Sequence, residues 1–523
     1  MKKQGYRNRR RGDHRMTRLI LIEAIILCVI AVCSVVLVLV NHNRKAKPAD
    51  ASPAATESAA DGTENESDAE ETKTADANAP ATASDAPVQN VDPNTPDNYE
   101  VAPPFERTLK STGDSTLDEA NRQAAMYDYD TAISMLEGAA DYSSNQTYQD
   151  AVASYKEQQS KCVVWSDNTQ ITHIFFHTLV VDADTAFSSP KKDDYNDVMT
   201  TVDEFVDIIQ DMYDEGYVLV SLYDIAKMEP QADGTEKMTY QNIVLPEGKK
   251  PFVMSQDDVS YYEYMTGHGF ASRFVIDEAT GKVINEMDLA DGTVLRGSYD
   301  LVPILEDFLE AHPDFCYKGA RGTIALTGYD GIFGYRTSDF WYNDNCDYYI
   351  SNEKNNAEKA NNHTTPNLNI EQDKQTASAI ATRLKEMGWT FASHSWGHRD
   401  MGTVSMEAFT WDTDIWEKEV EPLIGDTDII IFPKGADIGS WRGYEADNER
   451  YLYLKSVGFD YFCNVDSSVY WVQRTDDYFR MGRRDLDGRR FWQAVLTPDK
   501  NLIGDLIPDV SAMIDPKRCP WTE

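Results

Sequence analysis

Apolar and polar positions recur along this chain with two different periods, and the change between them marks its elements. Between Ser115 and Gln159 the spacing is helical, with Ala132, Met135 and Leu136, and later Tyr148, Ala151, Val152 and Tyr155, each on one face. The pattern predicts helices over Leu117 to Met126, Tyr129 to Leu136 and Tyr148 to Tyr155, packed as a short stalk. Beyond Gln170 a second rhythm begins, in which a helix stops at a glycine and an aromatic residue opens an apolar run. It occurs at Gly216-Tyr217, Gly388-Trp389 and Gly458-Phe459. Glycine can end a helix in the left-handed conformation, and the run that follows suits a buried parallel strand. The first of these helices carries Phe205, Ile208, Ile209 and Met212 on one face.

Strands are predicted over Thr172 to His177, Tyr217 to Leu222, Pro251 to Ser255, Gly322 to Leu326, Trp389 to Ser393, Asp428 to Phe432 and Phe459 to Val465. Repeated helix-to-strand units define an α/β fold with parallel strands. Seven of them, with no GxGxxG after any, predict a distorted (β/α) barrel rather than a dinucleotide-binding sheet. An insertion between Thr266 and Tyr299 has hairpin character, with turns at Thr280-Gly281 and Asp291-Gly292, and is expected to wall one side of a cleft.

The N-terminal part changes the picture of where this fold works. Met1 to Arg18 carry eight Lys or Arg against one Asp, and Leu19 to Val40 form a 22-residue run whose only charge is Glu23. At 1.5 Å per residue the run reaches about 33 Å, enough to cross a bilayer. A single uncleaved transmembrane helix is predicted over 19–40, with residues 1–18 as a basic cytoplasmic tip and everything past His42 outside the cell membrane. Residues 41–105 are rich in Ala, Asp, Glu, Thr, Ser and Pro and are predicted to be a disordered acidic linker. Residues 106–165 then form the stalk and 166–523 the catalytic domain. The formal net charge of −39 argues against nucleic acid as a partner, and the sequence names no protein partner. Five of the seven cysteines lie outside the apolar run, in no CxxC spacing, and no disulfide is predicted.

Three polar motifs each follow a predicted strand: Ser255-Gln256-Asp257-Asp258, Ser393-His394-Ser395-Trp396-Gly397-His398 and Pro433-Lys434-Gly435. In a barrel the strand exits share one rim. One carboxylate and two imidazoles meeting there suit a divalent metal with open positions, and the neighbouring carboxylate is free to act as a base. That is the outline of a metal-dependent hydrolase.

In order and spacing these motifs, preceded by Phe176-His177, resemble those of the polysaccharide deacetylases, the NodB-homology family also called carbohydrate esterase family 4. The resemblance covers roughly Ile171 to Val465. It implies Asp257 as general base, Asp258, His394 and His398 as ligands of a divalent metal, above all Zn2+, and the Lys434 N–H as a donor to the oxyanion. Pro433 and Gly435 of the same loop, with Trp396, are then expected to line the substrate cleft. Three departures accompany it. Val259 stands where the family has glycine, no His follows His398, and the third motif lacks its usual Arg. Arg484 is expected to supply that guanidinium, and His177 and His268 remain as candidate proton donors. The implied substrate is an N-acetylated cell-surface polysaccharide such as peptidoglycan, the alternatives being a silent glycan-binding protein and an O-acetyl esterase.

Overall fold

Seven parallel strands close on themselves in the computed structural model, which describes residues 85–342, 368–466 and 468–520. The strands that build or flank the barrel are β1 (Thr172–Phe176), β2 (Tyr217–Leu219), β3 (Lys250–Gln256), β4 (Thr323–Leu326), β5 (Thr390–Ser393), β6 (Ile429–Ile431), β7 (Tyr461–Val465) and β8 (Phe479–Asp485). Around the ring the order is β4-β5-β6-β7-β8-β1-β3 and back to β4. The expected number of ring strands holds, but one member differs. β2 pairs with the first half of β3, Tyr217 opposite Lys250 to Leu219 opposite Phe252, and on its other side makes a single bridge from Leu219 to Cys316, so it is a wedge beneath the β3–β4 contact. β8, which was not expected as a strand, completes the ring between β7 and β1. Its sequence, Phe-Arg-Met-Gly-Arg-Arg-Asp, reads as polar surface, yet Arg480, Arg483 and Arg484 are all buried.

Alternation along each strand separates two cores. Val253, Ala325, Ala392, Ile429, Ile431, Cys463 and Met481 share one apolar cluster, the barrel interior. The intervening positions Met254, Ile324, Phe391, Ile430 and Phe462 belong to another, which includes Phe205, Ile208 and Ile209 of the helix Val202–Asp214. The helices Ser115–Ala125, Tyr129–Glu137 and Gln146–Ser160 contribute Leu117, Ile133, Leu136 and Val152 to the same cluster as the interior. They dock where the chain approaches β4: the Tyr127 hydroxyl donates to the Asp314 carbonyl at 2.8 Å, and the Lys318 N–H to that of Met126 at 2.7 Å. The insertion forms a three-stranded antiparallel sheet, Arg273–Ile276, Val283–Asp288 and Val294–Gly297.

The linker prediction is corrected at its end. Residues 85–105 lie along the folded body: Val88 bridges Phe105, the Glu100 N–H donates to the Val181 carbonyl at 2.7 Å, and Phe105 packs edge-on against Phe308 at 5.2 Å. Val88, Ala102 and Phe105 are few among polar neighbours, but all three are buried. The predicted span Leu19–Val40 lies outside the described residues. Among those described, no helix is long and apolar enough to cross a membrane.

Glu100 ties this strap to the body at a cost that depends on pH. Burial, then the Asp515 carboxyl and the Asp203 charge, push its pKa up to about 9. Between the ordinary carboxylate range and pH 9 the folded state therefore holds a proton that the unfolded chain has released, so stability falls as pH rises through that window. Replacing Glu100 with Gln is expected to stabilise the protein by about 1–2 kcal/mol at pH 8 and to change little at pH 4.5. Denaturant unfolding at the two pH values checks this, and a difference independent of pH would contradict it.

Candidate metal centre

Asp257 reaches the barrel mouth because β3 keeps its alternation to the end, with Val253, Ser255 and Asp257 on the inward face. Its N–H donates to the Phe176 carbonyl at 2.8 Å, extending the ladder with β1 by one residue. Asp258 then takes the left-handed conformation, φ 58°, which turns its side chain back over the mouth. The positive φ falls on Asp258 and not on the next residue, so Val259 fits in the motif's glycine position and is buried in the outer core. The Tyr262 hydroxyl donates to Asp258 Oδ1 at 2.6 Å.

Across the mouth, His394 leaves β5 with its Nδ1 2.8 Å from the Ile431 carbonyl. A carbonyl only accepts, so Nδ1 carries the proton and Nε2 is left with its lone pair towards the site. The loop to His398 is held by Asp412 of the helix Met406–Glu419, which accepts the Trp396 N–H at 2.8 Å, the Gly397 N–H at 2.9 Å and the Arg399 Nε–H at 2.6 Å. His398 also has positive φ, 51°, and its Nε2 lies 3.5 Å from Asp258 Oδ2.

Asp258, His394 and His398 thus place one ligand atom each within 4.8 Å of one another. Burial pushes the His398 pKa down to about 4 although Asp258 opposes it, so the ring is neutral at pH 7. Burial alone would raise the Asp258 carboxyl, but His398, His394 and His177, each where it is protonated, and the Tyr262 hydroxyl lower it below its ordinary value. A carboxylate with two neutral imidazoles is the donor set that a divalent cation such as Zn2+ takes, and the residues fit it.

Beside these three, Asp257 is gripped by a guanidinium, but not that of Arg484. Arg483 donates from Nη1 to Asp257 Oδ1 at 2.7 Å and from Nη2 to Oδ2 at 2.9 Å. It also bonds Ser255 Oγ at 3.1 Å and lies 4.1 Å over the Phe175 ring. The correction is one of strand parity. Phe479, Met481 and Arg483 face inward on β8, whereas Arg484 faces out to Thr172 Oγ1 at 2.9 Å and to Asp505 at 2.8 and 3.0 Å. Burial would raise the Asp257 pKa, but Arg483 and then His394 more than offset it and hold the carboxyl well below the usual range.

The remaining expected residues divide. Pro433, Lys434 and Gly435 form a tight turn after β6, with Lys434 at φ 59° and Gly435 at φ 66°. A side chain at Gly435 would meet Val465 Cβ at 2.6 Å. Pro433 is buried and the Lys434 side chain exposed. Trp396 does not line a cleft: it is fully buried, donates from Nε1 to Glu419 Oε2 at 3.0 Å, and meets Phe340 and Trp411 edge-on. A large indole gains more by packing under the His394–His398 loop than by facing water. Of the two spare histidines, His268 is bonded to the Tyr195 hydroxyl at 2.8 Å. His177 follows β1 directly, half-buried, close enough for its charge to act on Asp257, Asp258 and His398. Sequence reasoning missed Arg483, Asp412 and Tyr262; only Arg483, next to the residue chosen, had left a signal.

No family model matches the chain, and no curated protein matches it. Among solved structures it is similar to the Streptococcus pyogenes deacetylase PplD in complex with acetate, at 12% identity and a TM-score of 0.32, over 66% of this chain and 99% of that one. A likeness this slight carries no argument about the chemistry, which rests on the residues themselves.

The two arginines separate in a stability measurement. Arg483→Met leaves Asp257 buried without a counter-charge and is expected to cost about 3–5 kcal/mol, most of it recovered when Asp257 is also changed to Asn. Arg484→Met, whose partner Asp505 is partly exposed, is expected to cost less, about 1–2 kcal/mol. Equal losses in urea unfolding would contradict the assignment of Arg483 to Asp257.

Proposed function

We propose that this protein is a divalent-metal-dependent hydrolase that removes N-acetyl groups from a cell-surface polysaccharide containing N-acetylglucosamine, such as peptidoglycan. The observation that carries the reading is the placing of Asp258, His394 and His398 within 4.8 Å of one another, beside an Asp257 clamped by Arg483. The motifs' resemblance to the polysaccharide deacetylases supports the choice of substrate. The apolar run Leu19–Val40 supports work outside a membrane to which the chain is anchored.

The three ligands would hold the cation, which when bound supplies Lewis acidity towards the acyl oxygen. Asp257 is the base: Arg483 keeps it ionised and fixes its plane, leaving one lone pair of each oxygen free to take a proton from water. The resemblance to the polysaccharide deacetylases gives the Lys434 N–H, in the turn after β6, the role of donor to the oxyanion. His177 faces the site with Nε2, since its Nδ1 lies 3.1 Å from the Val198 carbonyl. With one proton held on Nδ1 by that carbonyl, the ring acts as proton donor in its doubly protonated form: it gives the Nε2 proton to the departing nitrogen as the carbon–nitrogen bond breaks and is left as the neutral Nδ1–H tautomer. Arg483 thus takes the role expected of Arg484, and His177 the proton-donor role for which His268 was the other candidate.

Acetate release from N-acetylglucosamine oligomers and from peptidoglycan, by zinc-loaded protein, tests the reading. Asp257→Asn is expected to lower release by about 10²–10⁴-fold with bound metal unchanged, whereas His398→Ala is expected to lose the metal as well. Undiminished release from Asp257→Asn would overturn the assigned base. Release from O-acetylated glycans alone would move the reading to an esterase.

A further inference from the structure

The residues that hold His177 lie far from it in sequence. Its Nδ1 bonds the carbonyl of Val198, the last residue of the short helix Lys192–Val198. Carbonyls at such an end have no partner within the helix and must find one elsewhere. On either side of Val198 that partner is Arg518, which donates from Nη1 to the Asn196 carbonyl at 2.9 Å and from Nη2 to that of Met199 at 2.6 Å. Its remaining bonds go to Glu204, Nε to Oε1 at 2.6 Å and Nη2 to Oε2 at 2.7 Å. Glu204 is itself fixed at the start of the helix Val202–Asp214, where it caps the Thr201 N–H at 2.9 Å.

This clasp is closely built. The Arg518 and Glu204 side chains are both inaccessible to solvent, and the guanidinium lies 5.1 Å from the Phe187 ring. The Asp515 N–H donates to Glu204 Oε1 at 3.0 Å, and Asn196 Nδ2 to the Cys519 carbonyl at 3.0 Å. A Cβ at Gly488 would stand 1.9 Å from the Asn196 carbonyl oxygen and 2.4 Å from Arg518 Nη1, so only glycine lets the three elements meet. Because Glu204 neutralises the guanidinium, Arg518 acts on this turn through geometry more than through charge.

We propose that Arg518 is a positioning residue for the proposed proton donor, an inference that rests on the role given to His177 above. Its planar fork fixes the carbonyls of Asn196 and Met199, and with them the Val198 carbonyl that retains one proton on Nδ1, so that the protonated ring gives up its other proton from Nε2 and returns to the Nδ1–H tautomer. A lysine can still pair with Glu204 but cannot span both carbonyls.

The test uses the full chain with Arg518→Lys, and with Glu204→Gln/Arg518→Met as a second variant that buries no unpaired charge. Long-range proton–nitrogen correlations of the His177 ring are expected to change from a single Nδ1–H form to a mixture of tautomers. With acetyl substrates, kcat is expected to fall about tenfold with KM within twofold, and no further fall is expected in a His177→Ala background. An unchanged ring signature in either folded variant, or the same tenfold fall without His177, would overturn the proposal. Should the wild-type protein release no acetate, the ring signature still decides it, so the two readings fail separately.

Discussion

The buried pair of Arg483 and Asp257 depends on barrel closure, and much of the mouth depends on the pair. An aspartate and an arginine, each nearly inaccessible to water, face each other only because β8 enters the ring between β7 and β1 and brings its odd-numbered side chains inside. Removing two charges from water costs several kcal/mol apiece, and only a bidentate, fully bonded geometry offsets it. Ser255 below and the face of Phe175 beside it complete that geometry. A slip of one residue in β8 would aim Arg484 inward and leave Asp257 without its fork.

Outside the ring, buried carboxylates fix the loops that the strands release. Asp412 gathers two N–H groups and the Arg399 side chain, and so sets the path between His394 and His398. Asp300 does similar work beneath β3: it accepts the Leu179 and Leu301 N–H groups, Gln256 Nε2 and the Tyr261 hydroxyl. Burial raises the Asp300 pKa, and these donors only partly offset that. Each is a local rule of satisfied polar groups, yet each reaches across more than ten residues of sequence.

What could be read in the sequence followed from short-range periodicity. The glycine-ended helices, most ring strands and the clustering of Asp257, Asp258, His394 and His398 all come from patterns a few residues long. β8 was hidden because a strand lined with arginine carries no apolar signature, and its parity, hence the choice between Arg483 and Arg484, needs a register that only the neighbours set. Trp396 was misplaced for a related reason: an aromatic residue inside a polar motif fits a cleft and a packed underside equally well until Glu419 and Trp411 are seen around it. The strap at 85–105 fell below notice because three apolar anchors were averaged into an acidic, proline-rich window.

Two of the three candidate ligands, Asp258 and His398, sit at positive φ, as do Ser395 and Lys434 on the same mouth. For residues with a β-carbon that conformation is held at a cost of order 1 kcal/mol each, and glycine escapes it. At Asp258 and His398 glycine would ease the backbone but remove the side-chain ligand atom, whereas at Lys434 it would keep the N–H. Asp258 and His398 therefore hold their ligand atoms over the mouth against a standing backbone cost.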